Sequence, residues 1–164
     1  KIWLPNAENT VFAGESLAST LSTVPLLIRL FGGIGAGKTT FLQGFALGLG
    51  IHEHVQSPTF ALEQRYRTVQ FGEFLHCDMH RLSRDDARAF LVHAASHPGI
   101  CCIEWPERAG VWRPDGPLID ILFDDTDPRC RRLTVQFQAL SLLDRSRVRQ
   151  WSVSFQEGAR SATE

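Results

Sequence analysis

The sequence predicts an α/β fold of three layers: a central, mostly parallel sheet that also carries antiparallel strands, with helices flanking it. Three observations point there. A short apolar run, Leu26–Phe31, passes through glycine-rich residues 32–37 into a stretch with helical spacing, the order of a strand, a tight loop and a helix. Ile100-Cys101-Cys102-Ile103 is a second short apolar run, the pattern of a strand covered on both faces as parallel strands are. Two further runs, Leu118–Phe123 and Leu133–Phe137, are joined by turn formers at 124–128, and the second alternates, with Leu133, Val135 and Phe137 facing one way.

Each element has its own local reason. Thr10, Gly14, Leu17, Ala18 and Leu21 fall on one helical stripe, predicting a helix over about 8–21 with Asn6 or Asn9 as its cap. From Lys38 the apolar residues Phe41, Phe45 and Leu49 recur every four positions and Gly50 is placed to stop the helix. Residues 60–67 alternate, and a second extended run over 69–78 follows closely, so the pair reads as a hairpin. Residues 83–97 have weak helical periodicity and end at His97-Pro98-Gly99. An Arg-rich amphipathic helix is predicted over 141–151, with the last dozen or so residues frayed.

Length and composition bound the function. The 164 residues favour one domain, and a chain of this size buries roughly 70% of its unfolded surface. The net charge of −1 and a pI near 6.7 are the wrong balance for holding nucleic acid by charge alone. The charge is uneven, however: residues 129–164 carry seven Arg against Asp144, Glu157 and Glu164. Cys77, Cys101, Cys102 and Cys130 have no ligand-like spacing and read as buried reduced thiols. No run is long enough to span a bilayer and no signal peptide is recognisable, so the expectation is a cytoplasmic protein without a membrane partner.

The chemistry lies in Gly32-Gly33-Ile34-Gly35-Ala36-Gly37-Lys38-Thr39, which satisfies G-x-x-x-x-G-K-[ST]. Glycines let backbone N–H groups wrap around phosphate oxygens, and the loop ends at a helix N-terminus that favours anions. Lys38 supplies a mobile charge for the terminal phosphates, and the Thr39 hydroxyl suits the coordination shell of Mg²⁺. These features predict a P-loop NTPase-type fold, with residues 1–140 as the nucleotide-binding domain and 141–164 as an Arg-rich helix and tail. Hydrolysis also needs a carboxylate for the metal. Asp78 and Glu104 each end a largely apolar run, and ligands of open α/β sheets sit at the carboxyl ends of strands. On residues alone, either acid also reads as a solvated strand end.

The loop, continued as Thr40-Phe41, precedes three further motifs: Ser57-Pro58-Thr59-Phe60, His76-Cys77-Asp78-Met79-His80-Arg81-Leu82, and Ile103-Glu104-Trp105-Pro106-Glu107-Arg108. In this order they resemble the TsaE (YjeE) family of bacterial ATPases of tRNA threonylcarbamoyladenosine biosynthesis. The resemblance spans about residues 10–108 and extends more weakly to about 135. It implies that ATP or ADP is held by Gly35, Ala36, Gly37, Lys38, Thr39 and Thr40. It further implies that Thr39 and Glu104 bind Mg²⁺, that Asp78 is the Walker B-like acid at the metal, and that Thr59 belongs to a switch near the terminal phosphate. Lys38, Asp78, Glu104 and Thr59 would then be the catalytic set. Thr10 is implied near the base, Trp105 is tied to function, and Arg129 and Arg132 match a C-terminal arginine pattern near the nucleotide. Trp105 reads equally as packing, and the two arginines equally as a solvated basic hairpin. Gly33 stands where the family usually has an acid and His80 where it has a tyrosine, which touches turnover more than binding.

The function implied is slow ATP hydrolysis in support of the TsaB–TsaD complex, which modifies adenosine 37 of tRNA, with tRNA engaged only indirectly. Two alternatives remain at this level. A small-molecule kinase would need an arginine-bearing lid, for which residues 129–149 are the only candidate. A nucleotide-dependent adaptor with little hydrolysis would be consistent with Gly33. A GTPase is disfavoured because no N-K-x-D sequence is present.

Overall fold

The computed structural model describes residues 1–124, 126–127 and 130–161, with side chains described as far as Phe155. The elements run β1 (Ile2–Leu4), α1 (Ala7–Ala18), β2 (Leu26–Phe31), α2 (Lys38–Gly48), β3 (Glu63–Arg67), β4 (Glu73–Asp78), α3 (Arg84–Ala95), β5 (Ile100–Glu104), a 3₁₀ turn (Pro106–Ala109), β6 (Leu118–Asp124), β7 (Arg131–Gln138) and α4 (Leu142–Ser161). The seven strands form one sheet in the order β1-β7-β6-β2-β5-β4-β3. Its four central strands, β6, β2, β5 and β4, are parallel. Antiparallel strands complete both edges. This is the mixed α/β architecture the sequence predicts.

Helices α1 and α2 pack together on one face of the sheet, over Ile28, Leu30, Cys102, Ile119 and Ile121. Their close approach depends on glycine: a Cβ on Gly44 would stand 1.8 Å from the Val11 carbonyl oxygen, and one on Gly14 would stand 2.0 Å from that of Phe41. Helix α3 and the 3₁₀ turn cover the other face, over Leu27, Leu75, Cys77, Cys101 and Ile103. All four cysteines are buried thiols, and the Cys101 neighbour together with burial pushes the Cys77 thiol well up. Arg29 in β2 grips Asp120 in β6 through two 2.7 Å hydrogen bonds and donates a third to the Trp112 carbonyl, tying the loop after the 3₁₀ turn to the sheet. Among the described residues, no helix is long and apolar enough to cross a membrane.

Four elements differ from the sequence reading. Strand β1 was not anticipated, because three residues are too few to show a period. Strand β3 starts at Glu63, since residues 58–62 close a turn in which the Leu62 N–H donates to the Pro58 carbonyl and Leu62 has φ 67°. Strand β4 likewise starts only at Glu73, after the turn from Thr68 to Gly72. Helix α4 runs on to Ser161, past the predicted boundary at 151. Trp151 and Phe155 extend its apolar stripe there, with ring centroids 5.8 Å apart and Phe155 5.7 Å from Phe12 of α1.

The start of α4 is pinned by Asp144. Its buried carboxylate accepts hydrogen bonds from the Ser22 N–H (3.1 Å), the Ser22 hydroxyl (2.6 Å) and the Thr23 hydroxyl. Burial alone would raise its pKa, but these bonds outweigh it and hold the carboxyl below the usual value. Asp144→Ala is expected to cost roughly 2–4 kcal/mol at neutral pH, because hydrogen bonds to a charged group are lost together. A depressed folded-state pKa stabilises above the unfolded value and is lost as pH falls through the folded one. Urea unfolding should therefore show the gap between wild type and variant shrinking in acid.

Candidate nucleotide-binding site

Strand β2 delivers the chain into the glycine loop, where Gly32, Gly35 and Gly37 have φ of 143°, 76° and 102°. Side chains rarely adopt these values, so the path of the loop depends on glycine. Gly37 caps α2 without a side-chain hydrogen bond, and the first turn of α2 contains no acid. Its N–H groups and partial positive charge are thus directed at whatever occupies the loop.

Lys38 is 4% exposed. Its Nζ donates to the carbonyls of Gly32 (2.6 Å) and Gly33 (2.8 Å) and lies 3.9 Å from the centroid of the Trp105 ring. Next to it, the Thr39 hydroxyl donates to Glu104 at 2.9 Å from Oε1 and 3.1 Å from Oε2. Glu104 and Asp78 are register partners at the tips of β5 and β4, and both are 2% exposed. The parallel order of β2, β5 and β4 therefore brings loop and acids together at the carboxyl ends of these strands, as the sequence predicts.

Asp78 is committed differently from Glu104. One of its oxygens, Oδ2, accepts from the hydroxyls of Ser57 and Thr59 (2.8 Å for Thr59), and Oδ1 accepts from the His80 N–H at 2.8 Å. The Ser57–Thr59 segment is thereby fastened to the tip of β4. Trp105 follows Glu104 with φ 62°, a left-handed conformation for a bulky residue. Its N–H donates to the Leu30 carbonyl at 3.3 Å, and its ring lies 4.5 Å from that of His80. Burial pushes the Glu107 carboxyl above its ordinary value, offset in part by the Gly32 N–H and by Lys38.

Gly35, Ala36, Gly37, Lys38, Thr39, Thr40, Thr59, Asp78, Glu104 and Trp105 all line one cleft of about 380 Å³, a size that suits a small-molecule ligand. Thr10 is buried behind the loop. Its methyl lies 3.6 Å from where a Cβ on Gly37 would stand, and its hydroxyl donates to the Asn6 carbonyl at 3.1 Å. Arg132 is not brought to the cleft: it lies over the Trp3 ring at 5.2 Å, with Nε 3.9 Å from Asp124. Arg129 lies outside the described residues.

Among the described residues, the arginine that reaches the loop is Arg131. Its guanidinium donates to the Gly35 carbonyl at 3.3 Å, and its Cδ lies 3.1 Å from the Cβ position on Gly37. The signal for it was present in the sequence. Extending the alternation of Leu133, Val135 and Phe137 back by two residues puts Arg131 on their face and Arg132 on the other.

The family of threonylcarbamoyl adenosine biosynthesis protein TsaE matches residues 4–133. A protein of Nostoc sp., described as tRNA threonylcarbamoyladenosine biosynthesis protein TsaE, is 38% identical over 113 residues, covering 66% of this chain and 68% of its own. The protein of the same description from Aquifex aeolicus is 34% identical over 135 residues, covering 81% of this chain and 94% of its own. The crystal structure of Bacillus subtilis YdiB superimposes with a TM-score of 0.67 at 26% identity, covering 91% of this chain and 90% of that one. On these matches, spread over the elements that build the cleft, the chain belongs to the TsaE family.

Proposed function

We propose that this chain is a slow, Mg²⁺-dependent ATPase of tRNA threonylcarbamoyladenosine biosynthesis, acting in the cytoplasm in support of the TsaB–TsaD complex. The carrying observation is the convergence on one cleft of the glycine loop, the Thr39–Glu104 pair and the Asp78-bound Ser57–Thr59 segment. Residues 1–140 are the nucleotide-binding domain in this reading, and 141–164 an Arg-rich C-terminal element.

The residues suit the chemistry. Thr39 and Glu104 offer a hydroxyl and a carboxylate, hard oxygen donors of the kind Mg²⁺ takes together with substrate phosphates. When bound, the ion would neutralise charge developing on the phosphoryl oxygens. The loop amides and the α2 N-terminus bind and orient the polyphosphate of ATP or ADP. Lys38 exchanges the Gly32 and Gly33 carbonyls for phosphate oxygens, and Arg131 lies close enough to the loop to add a second cation. Thr59, held by Asp78, belongs to a switch segment beside the terminal phosphate in this reading. Trp105 and His80 wall the cleft beside Lys38.

A small-molecule kinase is less well supported, because the described part of the Arg-rich stretch lies on β7 and on α4, which pack onto the fold. The discriminating experiment is capture of TsaB and TsaD by this chain with ATP, with ADP and without nucleotide, alongside a phosphate-release assay. Nucleotide-sensitive capture with slow turnover is expected. Capture without turnover would leave a nucleotide-dependent adaptor, and no capture would remove the assignment to this complex.

Trp105 gives a direct reading of occupancy. When phosphates draw Lys38 away, the ammonium leaves the ring face, so tryptophan emission should change on addition of ATP. The change should vanish in Trp105→Phe, although Trp3, Trp112 and Trp151 remain. An unaltered signal in wild type would place the nucleotide away from this ring.

A further inference from the structure

His76 is not part of the catalytic set, yet it is the one described side chain other than Thr39 that holds Glu104. It is fully buried in β4, with Nε2 3.0 Å from Glu104 Oε1. The placement follows from topology. Asp78 pairs with Glu104 across the parallel β4–β5 ladder, and His76 pairs with Cys102. His76 is therefore the diagonal neighbour of Glu104 on the same face, within reach of long side chains. Its ring lies nearly parallel to that of Phe74, at 6.4 Å and 16°.

The other ring nitrogen, Nδ1, is buried with no hydrogen-bond partner. This orphan bears on the choice between the two neutral tautomers. A proton on Nδ1 would bury an unsatisfied donor and turn the Nε2 lone pair toward a carboxylate oxygen. A proton on Nε2 satisfies the donor with Oε1 and leaves only an acceptor unmatched. Of the two neutral tautomers, the one that leaves no buried donor unsatisfied is the one that donates to Glu104.

A half-satisfied imidazole is a poor choice for stability alone. A phenyl ring would fill the same space beside Phe74 without burying an unmatched polar atom. What histidine adds is a fixed donor to one oxygen of Glu104, whose two oxygens are otherwise shared by a single Thr39 hydroxyl at nearly equal distances. We propose that His76 is a positioning residue, which anchors Oε1 so that the Glu104 carboxylate keeps the rotation it has beside the Thr39 hydroxyl, the pair that would hold Mg²⁺. The inference rests on the reading of Thr39 and Glu104 as metal-holding residues.

Partners that orient metal-ligating groups are typically worth about 10- to 100-fold in metal affinity. Calorimetric titration of Mg²⁺ into the protein saturated with a non-hydrolysable ATP analogue should show His76→Phe weakened by that factor. Its analogue affinity in chelator and its thermal midpoint should be held or improved, and His76→Gln, which keeps an N–H donor, should recover much of the loss. In ¹⁵N-detected imidazole spectra of the wild type, His76 should be protonated at Nε2. That readout needs no variant to fold. Unchanged Mg²⁺ affinity in His76→Phe, no recovery in His76→Gln, or a wild-type proton on Nδ1 would each overturn this inference alone. A wild type whose nucleotide complex takes up no Mg²⁺ would overturn the metal reading and this inference with it.

Discussion

Replacing Lys38 with alanine is expected to weaken ATP binding by about 10²- to 10⁴-fold, the loss of two charge-assisted hydrogen bonds worth roughly 1.5–3 kcal/mol each. The only other lysine is Lys1, and Arg131 is already engaged with the Gly35 carbonyl. Because Lys38 is buried and satisfies the Gly32 and Gly33 carbonyls, its loss also loosens the loop before ligand arrives. Thermal unfolding without nucleotide separates the two effects. A midpoint close to wild type combined with lost calorimetric binding assigns the defect to phosphate recognition, whereas near-normal affinity would mean that the loop amides alone carry the site.

What the sequence made legible was local. The apolar run Leu26–Phe31, the glycine loop and the spacing of Phe41 and Phe45 are contiguous, so strand, loop and helix could be read without knowing any partner. The tips of β4 and β5 were legible for a related reason: an acid closing a short apolar run marks where a buried strand meets solvent or ligand. Relations set by packing could not be read. That Gly14 and Gly44 let α1 and α2 interlock depends on a contact between helices some thirty residues apart. That His76 reaches Glu104 depends on β4 lying beside β5, although β5 is not the next strand of the hairpin. The arginines illustrate both cases: the alternation of β7 fixed which side Arg131 faces, but only the sheet order brings that side to the glycine loop.

Glu104 and Asp78, equivalent as strand-ending acids, should separate under mutation. Glu104→Gln keeps the shape and leaves an oxygen that can accept from His76, but removes the negative charge. Nucleotide binding in chelator should be retained or slightly strengthened, since a carboxylate near phosphates is lost. Mg²⁺-dependent hydrolysis should fall by at least about 100-fold, the upper end of what merely orienting partners contribute. Normal turnover in this variant would dismiss Glu104 as the metal-holding residue. Asp78 presents a different case, because both of its oxygens already accept hydrogen bonds from Ser57, Thr59 and the His80 N–H. Asp78→Asn should therefore slow hydrolysis by releasing the Ser57–Thr59 segment while leaving the Mg²⁺ concentration for half-maximal rate close to wild type. A large rise in that concentration would instead place Asp78 beside Glu104 at the ion, at the expense of its bonds to Ser57 and Thr59. The Mg²⁺ dependence of the two variants, measured side by side, thus distinguishes a carboxylate that holds metal from one that holds the chain around it.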